Sequence, residues 1–456
     1  MLKYIPRKIS IHMLGDALLI IASFYLSYAV RTGEIVNVFS TYTGASVLSL
    51  FFFLFTFYIA DIYIYEGRFN SVNFIFRFVI TIIVANCLIA ATFYVFHKWK
   101  YSRSIFLLNG LFVFFYCLSW RFIIEKYFKY KKSHSNILIM GANRAGETLH
   151  SILEENEDFK VVGFLDDDAK KRGVVIGSSA VIGDTGHLLS LLKDKSIEKV
   201  VVATNHMASS ALLNELMNTK FNGVKIYDMP SFYEHIAGKI PISYINHSWL
   251  CYSNFYDIIS NLYNLKIKKV LDKIVAILII TITSPVMILS MLAIKLNSKG
   301  PIFFIQERVG KSKKIINIVK LRTMKFGMEE ARGLAGFRND PRITKVGKIL
   351  RFFRIDEIPQ LWNVIKGDMS IIGPRSLMKE EVSRFSGKIP FFSFRQFVKP
   401  GITGWAQVNY KHGTNTEDAI EKLQYDLFYI KNLSPILDLH IFLKTVKVML
   451  FGKGAS

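Results

Sequence analysis

Two adjacent carboxylates, Asp356 and Glu357, stand in a run that also holds Arg351, Arg354, Pro359, Gly367, Gly373, Pro374 and Arg375. A core-forming segment has no need of so many charges and turn residues within one supersecondary unit. Adjacent acids near a helix start are commonly solvated first-turn residues favoured by the helix dipole. The guanidinium groups on both sides argue for another use. One carboxylate of such a pair can attack phosphorus while its neighbour binds a divalent cation that neutralises the transferred phosphate. Two more clusters suit the same substrate chemistry. Gln306-Glu307-Arg308-Val309-Gly310 sets a guanidinium beside a glycine turn, and Lys320-Leu321-Arg322 puts two cations on one face of a strand.

The elements that must position these groups surround them. Val346, Ile349, Leu350 and Phe353 form an amphipathic stripe, able to lie on a membrane surface, just before the pair. Upstream, Val270 to Leu296 is apolar and carries Ser284-Pro285 near its middle. Proline removes a helix hydrogen bond, and in lipid the freed carbonyl needs another donor, for which Ser284 is well placed. Lys266, Lys268, Lys269 and Lys273 flank one end, and Lys295, Lys299, Lys311, Lys313 and Lys314 the other, so both ends prefer the cytoplasmic face. A re-entrant helix that enters, bends at Pro285 and returns satisfies both flanks; a straight span does not.

Earlier apolar stretches near Ile11 to Val30, Gly44 to Ala60, Val72 to Phe96 and Ile105 to Ile124 each approach the ~20 residues that cross hydrocarbon, and predict a four-helix transmembrane bundle whose first span is an uncleaved anchor. Lys3, Arg7 and Lys8 at one end, with Lys126, Lys129, Lys131 and Lys132 at the other, put both ends in the cytoplasm; Lys98, Lys100 and Arg103 run against that rule. Asp16 and Arg77 lie within spans and are expected to turn inward to polar partners. Composition agrees with a membrane. The 456 residues carry 58 Lys+Arg against 35 Asp+Glu, a net charge of +23, with 38 Phe and a mean hydropathy of +0.29. A nucleic-acid binder shares the charge but has no need of long apolar runs, so nucleic acid is not expected as a partner. Cys87, Cys117 and Cys251 form neither a disulfide framework nor a metal-ligand spacing.

From Asn136, short β-branched runs alternate with helical stretches, the pattern of an α/β Rossmann-like domain with a parallel sheet. Gly141, Asn143 and Gly146 form the turn after the first strand, and Asp166 ends the second strand where an acid would hold a ribose. Asn143 occupies the middle glycine position, so the fingerprint is degenerate. These four residues are candidates for a regulatory nucleotide site, and a fold kept for scaffolding is the competing reading.

The segment from Val270 onward closely resembles the bacterial sugar transferases, the polyprenyl-phosphate hexose-1-phosphate transferases, in five ordered motifs. These are Ser284-Pro285, Gln306 to Gly310, Lys320 to Met324, Asp356 to Arg375, and Lys399-Pro400-Gly401-Ile402-Thr403-Gly404-Trp405-Ala406-Gln407-Val408-Asn409. The four spans and Rossmann-like unit resemble the long-form members, which serve exopolysaccharide biosynthesis. The resemblance implies transfer of a sugar-1-phosphate from a UDP-sugar to undecaprenyl phosphate with release of UMP. Asp356 would be the nucleophile of a covalent aspartyl-phosphosugar intermediate, and Glu357 the ligand of Mg²⁺ or Mn²⁺. Gln306, Arg308, Lys320, Arg322, Arg351, Arg354, Arg375, Thr403, Trp405 and Gln407 would bind substrate or phosphate.

The expected organisation is a four-span bundle over 1–132, the degenerate Rossmann-like domain over 133–255, a linker and re-entrant helix over 256–296, and a mainly α (α+β) interfacial catalytic domain over 297–456. The implied location is the inner (cytoplasmic) membrane, multi-pass, with the catalytic domain on the cytoplasmic face. The lipid bilayer, a second copy in a homodimer and polysaccharide-assembly proteins are the expected partners. A membrane-anchored nucleotide-sugar dehydratase or epimerase shares the N-terminal architecture but requires an intact glycine fingerprint and a Tyr-x-x-x-Lys pair, and no such pair follows Gly141. A non-catalytic assembly scaffold is the other alternative.

Overall fold

Apolar runs without internal proline become the helices α1 (Arg7–Thr32), α2 (Val38–Ile59), α3 (Val72–Val95) and α4 (Arg103–Tyr130). The structure, a computed structural model, describes residues 7–33, 38–63, 69, 71–95, 102–130, 135–156, 158–194, 197–204, 210–221, 223–252, 263–327, 342–410, 413 and 415–451. Lys3, Lys98, Lys100, Lys131 and Lys132, which carry part of the topology expectation, lie outside these residues. The chain divides into two compact units, Met1–Ser135 and Asn136–Ser456.

In the first unit α1 packs against α2 and α4, and α3 against the same two helices. Phe53, Phe57, Phe74 and Phe78 fill the centre. The charged residue of α1 does turn inward. Asp16 accepts both terminal nitrogens of Arg121, at 2.9 and 2.7 Å, with the two side chains 0% and 1% exposed. The Arg121 guanidinium also donates to the Cys117 carbonyl at 2.7 Å and stacks over Phe78 at 4.8 Å. Arg77, expected to behave likewise, is exposed. By length and composition, Ser10–Thr32, Phe74–Tyr94, Arg103–Lys126 and Lys268–Asn297 are fit to cross a membrane, whereas the apolar part of α2, Thr43–Ile59, is shorter. The chain is a membrane protein with four such helices among the described residues, one of them in the second unit.

The second unit begins with a six-stranded sheet in the order β3-β4-β2-β1-β5-β6, where β1 is Ser135–Met140, β2 Phe159–Leu165, β3 Val175–Ile176, β4 Ser179–Gly183, β5 Lys199–Val202 and β6 Lys225–Asp228. The pairs β1–β5, β5–β6 and β2–β4 are parallel, and β3 adds an antiparallel edge. Alternation along β1 explains why both faces are covered: Ile137 and Ile139 enter one apolar cluster, Leu138 and Met140 the other.

Beyond the sheet, Ile240, Ile242, Ile245 and Leu250 leave the α/β layer and join the core of the C-terminal part, with Leu361, Met369 and Leu427. That part holds the hairpin β7 (Phe303–Val309) and β8 (Ile315–Leu321), and the short parallel pair β9 (Ser370–Ile372) and β10 (Gly401–Thr403). A Cβ on Gly401 would lie 2.1 Å from the Gly373 nitrogen, and one on Gly404 2.2 Å from the Gly373 oxygen. These glycines let the ends of β9 and β10 pass in near contact, which fixes where the chain leaves β9 toward Arg375.

The long helix Lys268–Asn297 continues through Pro285. Pro285 cannot donate to the Thr281 carbonyl, and the Ser284 hydroxyl donates there instead at 2.8 Å.

The Asp16–Arg121 pair supplies a test. Asp16→Leu leaves a buried guanidinium unpaired and should cost about 3–5 kcal/mol of stability in detergent. Adding Arg121→Met should recover most of that loss; equal melting temperatures for the single variant and wild type would show that the pair carries no weight.

Candidate active site

Thr344 caps the helix Lys345–Phe352 by accepting the Gly347 N–H at 2.9 Å. The chain then reverses through Arg354, whose φ of 57° places a non-glycine residue in the left-handed region at a cost of about 1 kcal/mol. One 3₁₀ turn, Ile355–Glu357, presents the carboxylates before the helix Gln360–Lys366 begins. The expected amphipathic stripe divides: Leu350 is buried and Val346 packs beside it, while Ile349, Phe352 and Phe353 are exposed together with Trp362.

Around Glu357, whose side chain is 14% exposed, three cations converge from separate elements. Lys320 of β8 lies 3.6 Å from Oε1, Arg375 3.8 Å from Oε1, and Arg354 3.8 Å from Oε2. Burial pushes the Glu357 carboxyl up, but Arg375, Lys320 and Arg354 outweigh it and hold the group below its usual range. Asp356 goes the other way. Burial, reinforced by the charge of Glu357, overcomes Lys320, Arg351 and Arg354 and pushes its carboxyl up to about 6. Its Oδ1 is buried without a hydrogen-bond partner. The turn therefore holds one carboxylate firmly charged and beside it one desolvated oxygen with free lone pairs.

Two further arginines lie around this group, each held by its own partners. Arg308 donates to Gln306 Oε1 at 3.1 and 2.8 Å and to the Ser376 carbonyl at 3.3 Å, with Glu381 3.6 Å away. Burial lowers the pKa of Arg308 and of Lys320. Arg351 donates to the Thr323 hydroxyl at 2.8 Å. The helix after the carboxylates is tied to β8 by Asn363, a residue the sequence did not single out. Its amide accepts from Val319 N–H at 3.2 Å and donates to the Asn317 carbonyl at 2.7 Å. An amide three residues beyond Gln360 is the one sequence signal, and only the fold shows that it serves the strand carrying Lys320.

Other expected substrate residues are placed elsewhere. Arg322, 2% exposed, follows the end of β8 and donates to the Ser298 and Lys299 carbonyls, holding the end of the long helix. Lys320 and Arg322 thus do not serve one target. The Thr403 hydroxyl pairs with Thr445, Trp405 Nε1 donates to the Gly238 carbonyl, and Gln407 Nε2 donates to the Ile402 carbonyl. Ser284 and Pro285 sit mid-helix, as described.

At the α/β sheet, Gly141 takes a φ of +112°. Asn143 caps the helix Arg144–Glu154: its side chain accepts the Ala145 and Gly146 N–H groups and donates to the Ala203 carbonyl at 2.8 Å. Asp166 accepts from Ala142 N–H at 2.8 Å and from Lys171 at 2.9 Å. The donors a pyrophosphate would use and the acid a ribose would use are both satisfied within the chain.

No group of three or more acidic, His or Cys side chains able to hold a metal occurs among the described residues. A Mg²⁺ that takes one or two carboxylates and completes its shell with phosphate and water fits Glu357 and the free Asp356 Oδ1.

Apolar helices fit to cross a membrane, joined to a buried carboxylate pair ringed by lysine and arginine, define a membrane protein whose site suits a polyanionic substrate. The chain belongs to the bacterial sugar transferase family, whose model matches residues 263–452; a CoA-binding domain model matches residues 59–230. A UDP-glucose:undecaprenyl-phosphate glucose-1-phosphate transferase of Caulobacter vibrioides is 40% identical over 41% of this chain and 71% of its own length. A UDP-N-acetylgalactosamine-undecaprenyl-phosphate N-acetylgalactosaminephosphotransferase of Aeromonas hydrophila is 37% identical over 51% of this chain, which spans about half of that relative, 54%. An undecaprenyl-phosphate galactose phosphotransferase of Salmonella typhimurium is 27% identical over 79% of this chain and 78% of its own.

Because folding raises its pKa, ionised Asp356 weakens the folded state above pH about 6, and the loss shrinks as pH falls from about 6 toward the ordinary 3.8. Asp356→Asn should therefore raise the melting temperature at pH 8, with the gain narrowing below pH 6. A lower melting temperature at pH 8 would mean that the surrounding cations, not burial, dominate.

Proposed function

We propose that the protein transfers a hexose-1-phosphate from a UDP-sugar to undecaprenyl phosphate, giving a polyprenyl-diphosphate sugar and UMP, the initiating step of a bacterial surface polysaccharide. The observation that carries this reading is the division of labour in the carboxylate pair, with Glu357 held charged by three cations and Asp356 left desolvated with a free oxygen. The activities of the relatives support it. They differ in the sugar and share the lipid acceptor.

In the first half-reaction Asp356 attacks the phosphorus bonded to the sugar. The bond from that phosphorus to the bridging oxygen breaks, and UMP leaves with the electron pair. Arg375, Lys320 and Arg354 face the charge that develops on the phosphoryl oxygens, in a buried setting where such pairing is worth most. In the second half-reaction an oxygen of the lipid phosphate attacks the same phosphorus and releases the Asp356 carboxylate. Mg²⁺ or Mn²⁺, held by Glu357, would neutralise the phosphates of the nucleotide sugar.

The long helix supports a placement at the membrane surface. Its start is tied to the catalytic core through Lys268 to Asp438 at 2.6 Å and Asp272 to Ser370 at 2.7 Å. Its end is tied through Ile294, packed with Leu321 and Leu350, and through Arg322 at Ser298. Between Ala276 and Ser290 no residue is buried. A helix fixed at both ends to one domain, with apolar residues exposed on either side of Ser284-Pro285 at Ile282 and Val286, suits entry into and return from a single leaflet. The exposed Ile349, Phe352, Phe353 and Trp362 then reach the same interface near the carboxylates. The catalytic part faces the cytoplasm at the inner membrane, where basic flanks are favoured.

Incubating the protein with UDP-sugars and Mg²⁺, without lipid acceptor, should release UMP in a burst no larger than the enzyme concentration. Asp356→Asn should abolish the burst and the steady-state transfer that undecaprenyl phosphate restores. UMP release that begins only when both substrates are present would eliminate the covalent step. Cysteines introduced at Lys269 and Lys299 should both be labelled from the cytoplasmic side alone; labelling from opposite sides would establish a full span.

A further inference from the structure

A basic cleft lies at the start of the long helix, apart from the carboxylate pair. Lys269, Lys311 and Lys399 line it with Asp272, Ser370 and Tyr429 around a cavity of about 30 Å³. Lys273 adds its field from one helical turn further on. Burial lowers the Lys399 pKa, and Lys269, Lys311 and Lys273 lower it further against a single nearby carboxylate, Asp272. None of these four lysines makes an ion pair among the described residues. The fifth, Lys268, is already neutralised by Asp438 at 2.6 Å. Asp272 is bound by the Ser370 hydroxyl at 2.7 Å, and Asp368, on the chain near Lys399, is taken up by Lys366 at 3.1 Å and Lys314 at 3.8 Å.

Four cations from the helix start, the β7–β8 turn and the approach to β10 are therefore gathered around one carboxylate, Asp272, and keep a net positive charge that an anion would balance. The surroundings say what balances them. Val270, Leu271 and Ile274, next to the cleft on the same helix, are 57%, 45% and 56% exposed, the apolar side of a segment fit to enter a membrane. A ligand that meets both features has an anionic phosphate head and hydrocarbon chains, and basic pockets beside membrane helices on the cytoplasmic side take such heads.

We propose that this cleft is a binding site for the phosphodiester headgroup of an anionic phospholipid, which anchors the start of the long helix at the bilayer surface. Neither Asp356 nor Glu357 lines the cleft, so it is distinct from the carboxylate turn.

The full-length protein in nanodiscs of phosphatidylcholine doped with phosphatidylglycerol is the test, with native mass spectrometry reading retained lipid. Wild type should retain phosphatidylglycerol in preference to phosphatidylcholine. The triple variant Lys269→Gln, Lys311→Gln and Lys399→Gln should lose that retention on the order of tenfold or more. The matching Lys→Arg triple should keep it, which separates loss of the site from loss of the fold. A control triple at Lys348, Lys379 and Lys388, changed to Gln, removes the same charge elsewhere and should bind as wild type does. Equal retention by the first triple and wild type would overturn the proposal, as would equal loss in the control. Preferential retention of undecaprenyl phosphate over phosphatidylglycerol, abolished by the first triple, would overturn it in favour of a substrate site.

Discussion

A carboxylate pair removed from water must be neutralised by groups the protein itself brings in, and that requirement organises the catalytic part. Asp356 and Glu357 occupy one short turn, yet the cations facing Glu357 come from β8, from the left-handed residue before the turn, and from the exit of β9. No single element could supply them. Hairpin, turn and crossing strands must be fixed relative to one another before the charges balance. The near-contact of Gly373 with Gly401 and Gly404 and the Asn363 amide on β8 do that fixing without touching the carboxylates.

Unequal neutralisation gives the two acids different properties from nearly the same position. Three cations hold Glu357 ionised although it is buried. Asp356 receives less compensation and keeps an oxygen without a partner. In a uniform environment adjacent acids would behave alike; Lys320 and Arg354 act on both, and the asymmetry comes from Arg375, the leading cation on Glu357. Its consequence is a group suited to stay charged next to a group suited to react.

The α/β part is joined to this core more closely than a simple chain of domains implies. Glu234 accepts from Lys431 and Asn432, Lys239 pairs with Glu421, and Trp405 donates to the Gly238 carbonyl. Ile240, Ile242 and Ile245 complete the apolar core of the C-terminal part. Meanwhile the glycine-rich turn is closed by Asn143 and Asp166. The α/β layer thus makes polar and apolar contacts to the C-terminal core, and Asn143 and Asp166 take the N–H groups of its glycine-rich turn.

By itself the sequence determined the features that depend on local pattern: apolar lengths for the membrane helices, β-branched alternation for the sheet, the adjacent acids with their arginines, and the serine positioned to take the carbonyl that Pro285 frees. Each is written in one continuous stretch of chain, so periodicity and side-chain chemistry suffice. The tertiary structure decided which cations reach the acids. Lys320 and Arg322, alike by strand parity, part because the strand ends at Leu321 and Arg322 satisfies the carbonyls at the end of the long helix. Thr403, Trp405 and Gln407 look like substrate ligands in the motif, and the fold gives them hydrogen-bond partners at Thr445, Gly238 and Ile402 that the motif does not show. Asn363 gained a role only when its helix met an edge strand with unpaired backbone groups. A side chain's charge and hydrogen-bonding capacity are fixed by its type, but its partner depends on which distant segment folding brings within about 3 Å.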